Sequence, residues 1–189
     1  MSDKIDEMRA ANDTFKALTP AIDTKGPSRL VWLAIALFCA AGMGYAIYAE
    51  KVLGLMPCNL CMLQRGSMSA LGIVSFIAFL HGSKTKIFQY FYIALANLAA
   101  LSGLILAGRH VWLQHLPADK VPACGPPFDY LVSNFAFLEV VQEIFSGSGD
   151  CAEIKWQFLG FSMPECLLAV FFALFVGVQI QLIKTIKGN

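Results

Sequence analysis

Four apolar runs organise the chain. Leu30 to Tyr48 and Ile87 to Gly108 carry no charge, Met56 to Leu80 carries only Arg65, and Met163 to Ile183 carries only Glu165 near one end. A hydrocarbon core takes about 20 predominantly apolar helical residues to cross, and each run supplies roughly that length. A backbone in lipid must satisfy its own hydrogen bonds, and none of the runs alternates as barrel strands do. The pattern therefore predicts spanning helices at about 30–48, 57–80, 87–108 and 163–183. The expected fold class is an all-α membrane protein with a single four-transmembrane-helix bundle over 30–183. Outer segments fall at about 49–56 and 109–162, and tails at 1–29 and 184–189.

The long outer segment has a pattern of its own. Pro117, Pro122 and Gly125-Pro126-Pro127 break helices, so Cys124 is expected on an irregular, mobile loop. Beyond it, Ser133 can cap a short helix in which Phe137, Val140, Val141, Ile144 and Phe145 recur at helical spacing, while Glu139, Gln142 and Glu143 take another face. Such a stripe suits a helix lying in the membrane interface, and equally one packed on the outer end of the bundle. Ser146-Gly147-Ser148-Gly149 is expected to be a flexible hinge before Asp150-Cys151.

Composition agrees with the pattern, because 57% hydrophobic and 14% charged residues are far from the balance of a soluble domain. Charge adds orientation. With the N-terminus inside, the inner segments hold Lys4, Arg9, Lys16, Lys25, Arg29, Lys84, Lys86, Lys184 and Lys187, against Lys51, Arg109, Lys120 and Lys155 outside. Basic residues are retained on the cytoplasmic side, so both termini are expected there. The first run is too long for the core of a cleavable signal peptide and reads as an uncleaved anchor. A net charge of +1 without a basic stripe argues against nucleic-acid binding.

Candidate chemistry gathers on the outer side. Cys58-Asn59-Leu60-Cys61 opens the second span just after Pro57, where two intervening residues let the thiols close a small ring and free backbone N–H groups favour a thiolate. Zinc is the usual rival for a CxxC. A structural zinc site takes four ligands, commonly as two close pairs, whereas Cys124 and Cys151 are isolated and no close histidine pair exists. Arg65 lies on the same helix face as Cys61 and about 6 Å deeper. A guanidinium inside a span is costly unless solvated or paired, so Arg65 either snorkels to the interface or favours the Cys61 thiolate and binds a polar oxygen of a lipid-soluble oxidant. His110 falls at the outer end of the third span, at the level of the CxxC, and is placed to donate a hydrogen bond to such an oxidant. Cys39 and Cys166 read as small buried apolar residues, Asn97 as an interhelical hydrogen-bonding group, and Trp32, Trp112 and Trp156 as interface anchors. His81 and His115 read as solvated loop residues.

Cys58 and Cys61, Arg65, His110, Cys124, and Ser148-Gly149-Asp150-Cys151-Ala152-Glu153 followed by Trp156-Gln157-Phe158-Leu159-Gly160 and Met163-Pro164 together carry a likeness. Over about residues 30 to 183 the chain resembles the bacterial disulfide-bond formation protein B (DsbB) family. These are membrane oxidases that regenerate a soluble periplasmic oxidant of the DsbA type. The resemblance implies a thiol:quinone oxidoreductase of the inner membrane, with its redox cysteines facing the periplasm. It implies that Cys58 and Cys61 exchange with a quinone, ubiquinone or menaquinone, and that Cys124 and Cys151 exchange with a DsbA-like thiol-disulfide oxidoreductase. Arg65 and His110 would lie at the quinone site, and no metal is called for. Gln64 departs from the acid that often precedes the arginine, and Cys166 lies outside the redox set. A quinone reductase of the vitamin K epoxide reductase type is the nearer alternative; a membrane metal-binding or transport protein is the more distant one.

Overall fold

The computed structural model describes residues 29–83, 85–154 and 156–187, so nearly all of the expected N-terminal tail, together with Lys84, Lys155 and the last two residues, lies outside the described residues. Four long helices form where the apolar runs fall: α1 (Arg29–Lys51), α2 (Asn59–His81), α3 (Lys86–Gln114) and, after the outer segment, α7 (Met163–Lys187). Each is long and apolar enough to cross a membrane. α3 continues past Gly108 to Gln114, because no breaker intervenes before Pro117. At 1.5 Å per residue it is about 43 Å long, well beyond a 30 Å hydrocarbon core. His110 accordingly lies within a helix rather than at the mouth of a loop.

α3 packs along both α2 and α7, and α1 packs along α2, while α1 and α7 meet only sparsely. Small residues set the close approaches. A side chain at Gly72 would lie 2.9 Å from Cys39 Cβ, and one at Gly103 would run into the Phe171 ring, so α1–α2 and α3–α7 cross tightly at these points. Between them Leu71, Ala96, Ala100, Phe171 and Val178 form the fully buried core. Gln179 donates to Asn97 Oδ1 across α7 and α3, the interhelical role expected of Asn97. Trp32 is buried at 4% exposure, not an interface anchor. At the inner end Gly82 takes a left-handed conformation (φ 51°) and its N–H bonds Ala78 O, while Arg29 donates to Phe79 O. His81 ends α2 and bonds the Tyr92 hydroxyl at 2.6 Å.

The outer segment forms a cap. A 3₁₀ turn at Ala118–Lys120 leads through extended chain to α4 (Phe128–Asn134), α5 (Phe137–Ser146) and the one-turn α6 (Gly149–Ala152). A short antiparallel hairpin, β1 (Gln157–Phe158) with β2 (Phe161–Ser162), then delivers the chain into α7. Ser133 does not cap the amphipathic helix: it lies inside α4 and donates to Asp129 O, and Ala136 starts α5 with its N–H held by Glu139. The apolar stripe of α5 divides, with Val140 and Ile144 buried on the bundle and Phe137 and Phe145 exposed. Leu60, Leu113, Leu131, Ile144 and Cys151 make a second core under this cap, so the CxxC is roofed rather than open.

Candidate redox site

The start of α2 builds the centre of the site. Cys58 is the N-cap residue, with Pro57 one position before it, and Cys61 lies in the first turn, so the two sulfurs are 3.2 Å apart. All six cysteines are free thiols, which makes this the reduced arrangement. The intervening pair does more than space them. Leu60 is fully buried in the outer core, and Asn59 donates its amide to Pro126 O at 3.1 Å, tying the CxxC to the loop that carries Cys124.

Folding brings Cys151 to Cys58. The Cys58 sulfur, a ring nitrogen of His110 and the Cys151 sulfur all lie within 4.8 Å of one another. His110 Nε2 is 3.8 Å from Cys58 Sγ, and its Nδ1 is 3.5 Å from the Gln64 amide, with both side chains buried. His110 therefore serves the sulfurs directly. Cys151 is 1% exposed; its hydrogen bond to Cys58, then burial, push its thiol above the ordinary range, while the Leu60 N–H and the Ser148 hydroxyl pull the other way. Cys124 stays exposed beside it: a side chain at Gly149 would lie 3.3 Å from Cys124 Sγ, and Gly149 N–H bonds Ala123 O at 3.2 Å. The Ser146–Gly149 stretch is thus closely packed and not an open hinge. Gly147 (φ 86°) takes the turn with the Leu113 side chain directly against it.

Cys58 and Cys61 face a groove of about 400 Å³ between the outer halves of α1 and α7, floored by α2. Phe38, Tyr45, Met68 and Leu167 make its walls apolar, and Cys166 lines it too. Arg65 stands on its edge but does not snorkel freely. Its guanidinium donates to Glu50 at 2.5 Å and to Ala46 O at 3.0 Å, both on α1. Glu50, Asn59 and Leu60 are the residues that motif reading passes over. The signal for Glu50 lies in hairpin register: antiparallel helices joined by a turn centred near Leu55 set Arg65 opposite Ala46, one helical turn from the nearest acid.

Thiols brought together from two segments, beside an apolar groove between spanning helices, suit dithiol–disulfide exchange. The model of the DsbB family, "Disulfide bond formation protein DsbB", matches residues 28–180. The chain belongs to the DsbB family. It is 47% identical over 156 residues to disulfide bond formation protein B of Acinetobacter baumannii, covering 82% of this chain and 91% of the relative. With the protein of that name from Marinobacter nauticus it shares 47% identity over 149 residues, or 79% and 88% of the two chains. The Nitrosococcus oceani protein is 44% identical over 140 residues, 74% and 81%. As a DsbB-family protein with four spanning helices, the chain is a membrane oxidoreductase of disulfide bond formation, and neither alternative from the sequence is favoured.

Proposed function

We propose that this DsbB-family chain reoxidises a DsbA-like periplasmic dithiol protein and passes the electrons through two cysteine pairs to a membrane quinone. The observation that carries the reading is the placement of Cys151 against Cys58 while Cys124 remains exposed against Gly149, two residues before Cys151 in the chain. One sulfur faces the partner, and its neighbour faces the membrane pair.

In the oxidised enzyme a partner thiolate attacks Cys124 of the Cys124–Cys151 disulfide and releases the Cys151 thiolate, which the Leu60 N–H and His110 receive. Cys151 attacks Cys58, forms Cys58–Cys151 and releases Cys61 as a thiolate at the helix start. The partner's second thiol resolves the mixed disulfide and frees Cys124. Cys124 then attacks Cys151, restores the loop disulfide and leaves Cys58 and Cys61 reduced. His110 holds or returns protons at the Cys58 and Cys151 sulfurs.

The groove fits a quinone, since it is apolar, faces lipid, and has a guanidinium at its edge with N–H groups beyond the two spent on α1. A quinone held there would supply the two-electron oxidant needed to close Cys58–Cys61. Arg65 would orient one of its acceptor oxygens, and the apolar walls would exclude water. The protein sits in the bacterial inner membrane with both termini cytoplasmic and the cap in the periplasm, as the distribution of basic residues supports. The test is quinone-dependent reoxidation of a reduced DsbA-like protein by the purified chain. Cys124→Ser and Cys151→Ser should each abolish it, while the Cys58/Cys61 pair still reacts with quinone; normal partner oxidation by either variant removes the proposed division of labour.

A further inference from the structure

We propose that the reduced protein binds one soft divalent metal ion, zinc or cadmium, through Cys58, Cys61, Cys151 and His110, and that the ion arrests electron transfer. Sequence spacing argues against such a site because Cys151 and His110 are far from the CxxC, and folding removes that objection. Ligand bonds of about 2.3 Å to sulfur and 2.0–2.1 Å to nitrogen put tetrahedral ligand atoms about 3.5–3.8 Å apart. His110 Nε2 already lies 3.8 Å from Cys58 Sγ, and Cys151 Sγ is within 4.8 Å of both Cys58 and His110; Cys61 Sγ, 3.2 Å from Cys58 Sγ but outside that cluster, becomes the fourth ligand by swinging toward it. Three sulfurs and one imidazole make a Cys₃His set, one of the compositions zinc takes.

The surroundings of His110 fit this use. A histidine that ligates through Nε2 carries its proton on Nδ1 and needs an acceptor there. Gln64 faces Nδ1 at 3.5 Å, and its Oε1 is buried with no hydrogen-bond partner among the described residues. Half a turn of the amide brings that oxygen to Nδ1–H. Ligation releases one proton from each of the three thiols, leaving the cluster with one net negative charge.

Redox state gates the site. A Cys58–Cys61 or Cys124–Cys151 disulfide removes ligands, so only the fully reduced chain, which accumulates when its oxidant is scarce, takes the ion. Binding rests on this geometry alone; its effect on turnover rests on the exchange route proposed above.

The experiment titrates cadmium into the detergent-solubilised full chain, reduced with a phosphine, and follows the thiolate-to-cadmium charge-transfer absorbance. One ion per reduced chain and none per oxidised chain is the expected result. Cys151→Ala and His110→Ala should each weaken binding at least about tenfold, in line with the cost of disturbing a metal's ligand shell. Cys124→Ala and Cys39→Ala should leave it unchanged. Undiminished affinity in Cys151→Ala and His110→Ala would show that the CxxC alone holds the ion and would overturn the proposal, as would the lack of a stoichiometric complex. The unaltered chain gives a check independent of any variant's folding: cadmium should protect Cys58 and Cys61 from alkylation and leave Cys124 reactive, and equal protection of Cys124 overturns the site. Quinone-dependent partner oxidation is assayed in the same preparation, so a chain that binds cadmium but lacks that activity would overturn the functional reading, not the site.

Discussion

Arg65 shows what a residue in isolation reveals and conceals. Its cost inside a span marks it at once, yet its partner Glu50 sits on another helix and appears only when the hairpin register is drawn. The pairing changes what a substitution does. Arg65→Met removes the charge and leaves Glu50 beside Lys51 alone, so stability should fall, and quinone KM should rise about tenfold or more with the loss of a charge-assisted hydrogen bond. Adding Glu50→Gln should recover the melting temperature but not the KM, and Arg65→Lys should rescue only part of it. A double variant with normal quinone kinetics would move the oxidant away from this edge. Cys151 makes the second residue-scale case: its raised pKa leaves little thiolate at neutral pH, and the thiolate is the nucleophile. In the reduced protein iodoacetamide should therefore modify exposed Cys124 well before buried Cys151 at pH 7.5, with the Cys151 rate still rising as pH passes above the ordinary thiol range. Mass-spectrometric rates across pH check this, and a Cys151 rate that levels off within the ordinary thiol range would contradict it.

At the scale of elements, the spans were legible because uncharged runs of helical length have few other readings. Their ends were less so. Arg109 looks like the exit of the third span, yet nothing from Arg109 to Gln114 breaks a helix, and the extra turns carry His110 inward to the sulfurs. The cap was read as one helix and a hinge because proline and glycine mark breaks without saying what packs against them. Here Gly149 is small to admit Cys124, and Gly147 to admit Leu113. The same limit hid Asn59, which looks like CxxC filler but bonds the Cys124 loop. A hydrogen bond of this kind contributes about 1 kcal/mol, so Asn59→Ala should slow partner-driven quinone reduction about fivefold. Reduction driven by a small dithiol that attacks the helix pair directly should fall much less. Equal losses in both assays would mean that Asn59 supports the fold of α2 and not the transfer between pairs.

For the whole molecule, the arrangement of helices decides where the proposed lipid-soluble oxidant would enter. α3 holds α2 and α7 together, α1 leans chiefly on α2, and the sparse contact between α1 and α7 leaves a groove between them at the level of Cys61 and Arg65. No single motif specifies that opening, which is why the sequence points to Arg65 for the proposed quinone without giving its path. Gly42 tests the path. It lines the groove from α1, and a Cβ there would meet only Met68 Cε at 3.9 Å, so a side chain can begin at this position without moving the backbone. Leucine is also a better helix former than glycine, by somewhat under 1 kcal/mol, so Gly42→Leu should insert and fold at least as well. Its added volume falls inside the groove and should weaken quinone binding in ground and transition states alike. The expected signature is a several-fold rise in quinone KM with kcat nearly unchanged and the KM for the reduced partner unaltered. An unchanged quinone KM would place the oxidant's entry elsewhere on the bundle, away from the gap between α1 and α7.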